Sequence, residues 1–139
     1  MKKITFFGDI MCEPPILKAA KTAGGYDFTP MFQQVKPLLA EADLVVSNLE
    51  TPLAGAAVGY TDEFYVFNAP DSYADAVKDA GVDMIITANN HTFDRGYDGL
   101  VRTIQVLDEK GIPHTGSWIE GKDREEAWYT DLDGTKIAV

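Results

Sequence analysis

The 139 residues include 12 basic and 22 acidic side chains, a formal net charge of −10 at pH 7. This length predicts one domain with a substantial buried core, and the negative charge argues against a nucleic-acid partner or an anionic membrane surface. Cys12 is the single cysteine, which excludes an internal disulfide. No apolar run approaches the roughly 18 residues that span a bilayer, and the apolar start is interrupted at Gly8, too early for a signal peptide. We therefore expect a cytoplasmic chain with no transmembrane segment.

Strands and helices alternate along the predicted fold. Short apolar runs predict strands at residues 4–7, 43–47, 82–86 and 112–114, and a short extended piece at 64–67. Apolar residues at helical spacing predict helices at residues 29–42, 70–80 and 97–110. Pro37 should kink or shorten the first of these helices, because proline removes a backbone hydrogen bond. Residues 13–27 are rich in proline and glycine and predict a loop with one helical turn. The alternation is typical of an α/β fold with a largely parallel sheet.

The pattern changes near the end of the chain. Residues 126–132 and 135–139 flank Asp133-Gly134, a pair typical of a two-residue hairpin turn. The chain then stops within an apolar strand, so we expect residues 1–139 to be one domain that forms the front portion of a longer one. An exposed strand at residues 136–139 is a template for pairing with another chain, which predicts self-association through this edge.

Polar side chains follow three of the predicted strands. They are Asp9 after the first, Asn48 and Glu50 after the second, and Asn89, Asn90 and His91 after the third. Because the carboxyl ends of parallel strands meet at one edge of a sheet, we expect these side chains to converge. Carboxylate and amide oxygens suit hard divalent cations, and borderline cations accept imidazole as well, so Mn, Fe, Zn and Mg are all admissible. We predict a metal site with Asp9, Glu50 and Asn90 as ligands.

The same loops contain candidates for catalysis. His91 is suited to be a metal ligand, a proton donor to a leaving oxygen, or a stabiliser of phosphoryl charge. Asp94 is placed either to orient the ring of His91 or to cap the helix that begins near Gly96. Arg95 is suited to pair with an anionic substrate or to be solvated at the helix start. We predict His91 and Asp94 as catalytic residues, and we expect His114 to be structural.

Three motifs resemble the CapA-type capsule or poly-γ-glutamate biosynthesis proteins of bacteria, the PGA_cap family. The resemblance runs from residue 2 to residue 139, and its motifs are Gly8-Asp9-Ile10-Met11, Ser47-Asn48-Leu49-Glu50-Thr51-Pro52, and Ala88-Asn89-Asn90-His91 with Asp94. That family is similar to the calcineurin-like metallophosphoesterases. The resemblance therefore implies the N-terminal part of a four-layer α/β/β/α sandwich with mixed sheets and a site for two metals.

The metallophosphoesterase resemblance also implies roles for individual residues. Asp9 matches the first metal-binding aspartate, Asn90 the metal-binding asparagine and His91 the catalytic histidine. Glu50 stands where a bridging aspartate is expected, with Asn48 as the alternative alignment. Met11 replaces a metal-binding histidine, and residues 1–139 contain no counterpart of the histidine motifs in the family's second half. The resemblance thus implies an incomplete site in this segment.

Three functions follow as hypotheses. The leading one is a metal-dependent hydrolase or transferase of capsule or poly-γ-glutamate biosynthesis that acts on a phosphoester or an anionic, amide-linked polymer. The alternative is a non-catalytic component that assembles or anchors the polymer and uses the same loops to hold a metal or the polymer. A third is a phosphatase of a small metabolite. The net charge of −10 disfavours direct docking of a polyanion without bound metals.

Overall fold

The computed structural model describes residues 1–62, 65–121 and 127–139. The strands are β1 (Ile4–Ile10), β2 (Lys21–Thr22), β3 (Gly25–Tyr26), β4 (Leu44–Leu49), β5 (Met84–Ile86), β6 (His114–Thr115), β7 (Tyr129–Leu132) and β8 (Thr135–Ala138). The helices are α1 (Pro14–Ala20), α2 (Thr29–Phe32), α3 (Lys36–Leu39), α4 (Ser72–Asp79) and α5 (Gly96–Glu109). A 3-10 turn lies at Ala56–Val58. No helix in the described part of the chain is long and apolar enough to cross a membrane.

A four-stranded parallel sheet in the order β1-β4-β5-β6 forms the centre of the fold. This confirms the predicted α/β class with a largely parallel sheet. Asp9 of β1 pairs with Asn48 of β4, and Asn48 pairs in turn with Ile86 of β5. The carboxyl ends of the first three predicted strands therefore meet at one edge, as parallel pairing requires.

Strand β4 is buried on both faces, as its unbroken apolar run predicted. Val45 and Leu49 belong to a core under the helices, together with residues of α1, α2, α4 and α5. Leu44 and Val46 belong to a smaller cluster on the opposite face. The partly buried side chains packed on that smaller cluster include Trp128, Leu132, Ile137 and Val139, so the β7–β8 hairpin lies on this face.

Strand β1 is longer than predicted and continues through Asp9. The pairing with β4 is irregular between Phe6 and Asp9, and Gly8 adopts a φ of +74° there. The hydroxyl of Ser47 donates to the carbonyl oxygen of Gly8 at 2.7 Å. Such a bulge changes the direction of the side chains that follow it, and here the residue that follows is Asp9.

Two helical predictions need correction. Residues 14–20 form a seven-residue helix rather than a loop with one turn, because Leu17 and Ala20 bury one face of it in the core. The single helix predicted at 29–42 is two short ones, α2 and α3. Pro37 lies in the first turn of α3, where its missing N–H costs no hydrogen bond, so the chain starts a new helix there instead of continuing the old one.

The predicted hairpin at the end of the chain is present. Asp133 and Gly134 both have positive φ, at 53° and 84°, as a type I′ turn requires. Residue 126 of the predicted strand lies outside the described residues, as does residue 64 of the predicted extended piece at 64–67. β7 and β8 form a two-stranded sheet of their own, and self-association through its edge stays a prediction.

An ion pair links α5 to the start of α4. The guanidinium of Arg102 donates to both carboxylate oxygens of Asp71 at 2.8 Å, and it also donates to the carbonyl oxygen of Leu53. These bonds lower the pKa of Asp71 below its ordinary value of 3.8. A carboxyl group whose pKa is lower in the folded state stabilises that state above the unfolded pKa, and the effect is lost as pH falls through the folded pKa.

We predict that Asp71→Asn lowers the free energy of unfolding at pH 7 by about 0.5–1 kcal/mol, a value limited by the solvent exposure of the pair. Urea denaturation at several pH values should show the difference from the wild type narrowing below pH 3.8. Asp62→Asn is the control, because Asp62 is exposed and forms no ion pair with a described residue. The ionic explanation would be contradicted if Asp71→Asn lowered the free energy of unfolding by the same amount down to pH 2 while Asp62→Asn left it unchanged.

Candidate functional site

One amide group joins the two candidate carboxylates. The side-chain nitrogen of Asn48 donates to Oδ1 of Asp9 at 2.8 Å and to Oε2 of Glu50 at 3.0 Å. Asp9 is exposed, whereas Asn48 and Glu50 are half-buried at the carboxyl end of β4. The pairing register places Asn48 directly opposite Asp9, which explains why a single amide can reach both acids. Asn48 therefore holds the two carboxylates side by side.

The third loop joins this cluster through Asn89. Its side-chain nitrogen donates to Oδ1 of Asn48 at 2.9 Å and to the carbonyl oxygen of Leu49 at 2.9 Å. Its side-chain oxygen accepts from the backbone N–H of His91 at 3.0 Å. An unbroken chain of hydrogen bonds thus runs from the β5–α5 loop through Asn89 and Asn48 to both acids.

The hydrogen-bond network is formed by amides other than Asn90, whose role as a metal ligand stays a prediction. Asn90, the predicted metal ligand, is exposed and its side chain forms no hydrogen bond within the described part of the chain. Asn89 and Asn48 hold the network instead. The contact of Asn48 with Asp9 could have been predicted from parallel pairing of the first two strands, which places the two residues opposite each other. Nothing in the sequence distinguishes Asn89 from the adjacent Asn90 in this way.

The electrostatics of Glu50 reflect a crowded pair of acids. Partial burial raises the pKa of Glu50, and the neighbouring carboxyl of Asp9 raises it further, while His91 opposes the shift. Among the described residues, neither Asp9 nor Glu50 forms a salt bridge with a lysine or arginine. The site thus concentrates negative charge that no lysine or arginine of the described residues pairs with.

His91 and Asp94 form a partly buried pair beside these acids. Nδ1 of His91 lies 2.9 Å from Oδ2 of Asp94, and the side chains are only 12% and 10% exposed. Oδ2 also accepts from the backbone N–H of Phe67 at 2.7 Å, and the Phe67 ring packs edge-on against the imidazole, with centroids 4.6 Å apart. Because a carboxylate accepts the Nδ1 proton, Nε2 is the nitrogen left for a ligand or substrate.

The structure distinguishes between the two roles considered for Asp94. The residue that caps α5 is Arg95, with no side-chain cap bond, and Asp94 instead accepts from His91 and Phe67. Its geometry is that of a residue that orients the imidazole. Arg95 is half-buried and donates to the carbonyl oxygens of Phe67 and Val66 at 3.2 and 3.4 Å. It therefore helps to hold in place the segment whose Phe67 contacts Asp94 and His91.

Cys12, Met11 and His114 contribute no side-chain hydrogen bond to the network of Asn48 and Asn89. Cys12 is fully buried, and burial raises the pKa of its thiol to about 12, which keeps it protonated at neutral pH. Met11 lies in the apolar wall of a 170 Å³ cleft that includes Asp9. Nε2 of His114 pairs with Asp108 at 3.1 Å, at the far end of α5 from His91.

The donors present suit a hard divalent cation but are few. Asp9 and Glu50 supply two anionic oxygen ligands on adjacent strands, and amide oxygens lie beside them. Within residues 1–62, 65–121 and 127–139, no group of three or more histidine, cysteine, aspartate or glutamate side chains is placed to hold a metal ion. The carboxylates of Asp9 and Glu50 are thus the anionic donors that the described residues offer at this edge.

Comparison with known proteins identifies the family to which this chain belongs. Residues 3–139 match the model of the family described as bacterial capsule synthesis protein PGA_cap. The chain belongs to this family. It is 30% identical to the capsule biosynthesis protein CapA of Bacillus anthracis over 97% of its length, and 24% identical to the PGA biosynthesis protein CapA of Bacillus subtilis strain 168 over 96%.

The PGA_cap match extends over nearly the whole chain, but the relatives are longer. The aligned region makes up 33% and 35% of the two CapA proteins, so the chain spans about a third of their length. The uncharacterized protein y4sH of Sinorhizobium fredii is 32% identical over 70% of the chain and 22% of its own length. The match to the PGA_cap model confirms the family resemblance found in the motifs.

Proposed function

We propose that this PGA_cap chain forms one side of a metal-dependent hydrolase or transferase site that acts on a phosphoester or an amide-linked polymer in capsule biosynthesis. The observation that carries the proposal is the pair of carboxylates held by Asn48 beside the His91–Asp94 pair. The relatives named for capsule and PGA biosynthesis supply the biological setting.

The chemistry of each group supports this reading. Asp9 and Glu50 would hold a divalent cation such as Mn, Fe, Zn or Mg, and the cation would polarise a phosphoryl or carbonyl oxygen of the substrate. Asn48 fixes the two acids, which reduces the rearrangement that metal binding requires. Asp94 holds the Nδ1 side of His91, so that Nε2 is presented to donate a proton to a leaving oxygen.

The experiment uses the intact protein and three conservative variants. Bound metal is measured by mass spectrometry, and hydrolysis is measured with bis(p-nitrophenyl) phosphate and with poly-γ-glutamate. We expect Glu50→Gln to lose bound metal and activity, whereas Asp94→Asn and His91→Gln should keep the metal and lose about 10²-fold or more of the activity. Glu109→Gln is the matched control for Glu50→Gln, because Glu109 is an exposed residue at the end of α5.

The result that would overturn the proposal is intact turnover in both Glu50→Gln and His91→Gln. A second candidate, a non-catalytic component that assembles or anchors the polymer, is favoured by the absence of a third acidic, histidine or cysteine ligand among the described residues. Binding of poly-γ-glutamate that survives a chelator, with no turnover and no bound metal in the wild type, would support that candidate instead.

A further inference from the structure

A groove of about 370 Å³ lies next to the candidate site and is not used by the proposed chemistry. It runs between the β5–α5 loop, the first turns of α5 and the segment after β6. The lining residues on which the argument depends are Asn89, Phe93, Tyr97, Trp118 and Glu120. The volume is within the range of small-molecule sites in proteins, about 300–1,000 Å³.

The rims of this groove are aromatic and exposed. Phe93, Tyr97 and Trp118 are 60%, 43% and 50% exposed, although they are large apolar side chains that folding ordinarily buries. The hydroxyl of Tyr97 accepts a hydrogen bond from the backbone N–H of Glu120 at 2.8 Å, which fixes the ring to the opposite wall. This hydrogen bond joins α5 to the segment after β6 across the groove.

The charge of the residues that line the groove favours one class of ligand. Glu120 is a carboxylate, no lysine, arginine or histidine is among the described residues that line the groove, and the chain as a whole has a net charge of −10. The faces of aromatic rings carry partial negative charge and attract organic cations. Glu120 would repel a polyanion, and it could offer a neutral ligand only hydrogen bonds, whereas a cation would gain charge attraction from Glu120 in addition to its contact with the rings.

We propose that this groove binds an organic cation of the quaternary-ammonium class. The aromatic side chains would contact its methyl groups, and Glu120 would supply the counter-charge. Asn89 lines the groove and also belongs to the hydrogen-bond network of the candidate site, so the bound cation would lie beside that site. This inference requires neither a metal ion nor catalysis.

Two probes of equal shape test the proposal on the intact protein. Choline carries the charge, and 3,3-dimethylbutan-1-ol replaces its nitrogen with carbon and is neutral. Isothermal titration should show choline binding at least about tenfold more tightly than the neutral analogue, because cation–π attraction distinguishes the two. Phe93→Leu and Glu120→Gln should each reduce the affinity for choline about threefold or more, since each removes one source of attraction.

Tyr129→Leu is the matched control, because Tyr129 is 54% exposed and lies on β7 away from the groove. Circular dichroism of each variant establishes that it is folded. Equal affinity for choline and its neutral analogue would overturn the proposal, as would choline binding that is unchanged in both groove variants, or no saturable binding of choline. None of these readouts depends on bound metal or turnover, so the failure of this proposal is distinguishable from failure of the proposed function.

Discussion

Asn68→Ala should lower the free energy of unfolding by about 3 kcal/mol, because it leaves three backbone groups without their hydrogen-bond partners. The Asn68 side chain is fully buried. Its oxygen accepts from the N–H of Ala54 at 2.8 Å, and its nitrogen donates to the carbonyl oxygens of Gly55 and Gly59 at 2.8 and 2.6 Å. A single side chain thus supplies the hydrogen bonds of a loop that has little regular structure of its own.

The effect of Asn68→Ala should extend to the candidate site. Phe67, the residue directly before Asn68, donates its N–H to Asp94 and packs against His91. Urea denaturation measures the stability change, and the histidine resonances in NMR spectra report the environment of His91. Asn90→Ala is the control, since Asn90 is exposed and should change stability by less than about 0.5 kcal/mol. A loss for Asn68→Ala no larger than that of Asn90→Ala would contradict the role assigned to its hydrogen bonds.

Gly116→Ala should lower the free energy of unfolding by about 2–3 kcal/mol, through steric overlap and backbone strain together. A Cβ at this position would lie 2.7 Å from the backbone nitrogen of Ala88 and 2.8 Å from its Cβ. The φ of Gly116 is also +109°, a conformation that residues with side chains rarely adopt. Because Ala88 precedes Asn89, the displaced backbone should also disturb the hydrogen bonds that join the three loops.

Two control variants separate the two causes. Gly121→Ala has a positive φ of +79° but no heavy atom of a described residue within 4 Å of the added Cβ, so this variant measures the effect of backbone strain. Gly24→Ala also has open space and carries no such positive φ, so it should be close to neutral. Thermal denaturation of the three variants should rank Gly116→Ala as the least stable and Gly24→Ala as the most stable. Equal stability of Gly116→Ala and Gly121→Ala would exclude a contribution from contact with Ala88.

The periodicity of the sequence was sufficient to predict the sheet and the edge where the candidate site lies. An unbroken apolar run such as residues 44–46 is stable only with both faces covered, which favours a central parallel strand. Once the strands are parallel, Asp9, Glu50 and His91 follow strands whose carboxyl ends share an edge, so their proximity follows from local patterns alone. The hairpin at Asp133-Gly134 was predictable for a similar reason, since few residue pairs adopt two positive φ values.

The partners of each polar side chain were decided only by the tertiary structure. Asp94 accepts from Phe67, 27 residues earlier, and Asn89 donates to Asn48, 41 residues earlier, and neither contact has a periodic signal. Which amide of the β5–α5 loop reaches Asn48, and whether Asp94 contacts His91 or caps α5, depended on where that loop packs. Likewise, α1 is stabilised by the burial of Leu17 and Ala20 in the core, a contact that the local sequence does not specify. Local propensity specifies the conformation of a short segment, whereas a hydrogen bond across the sheet edge requires the relative positions of segments that only packing defines.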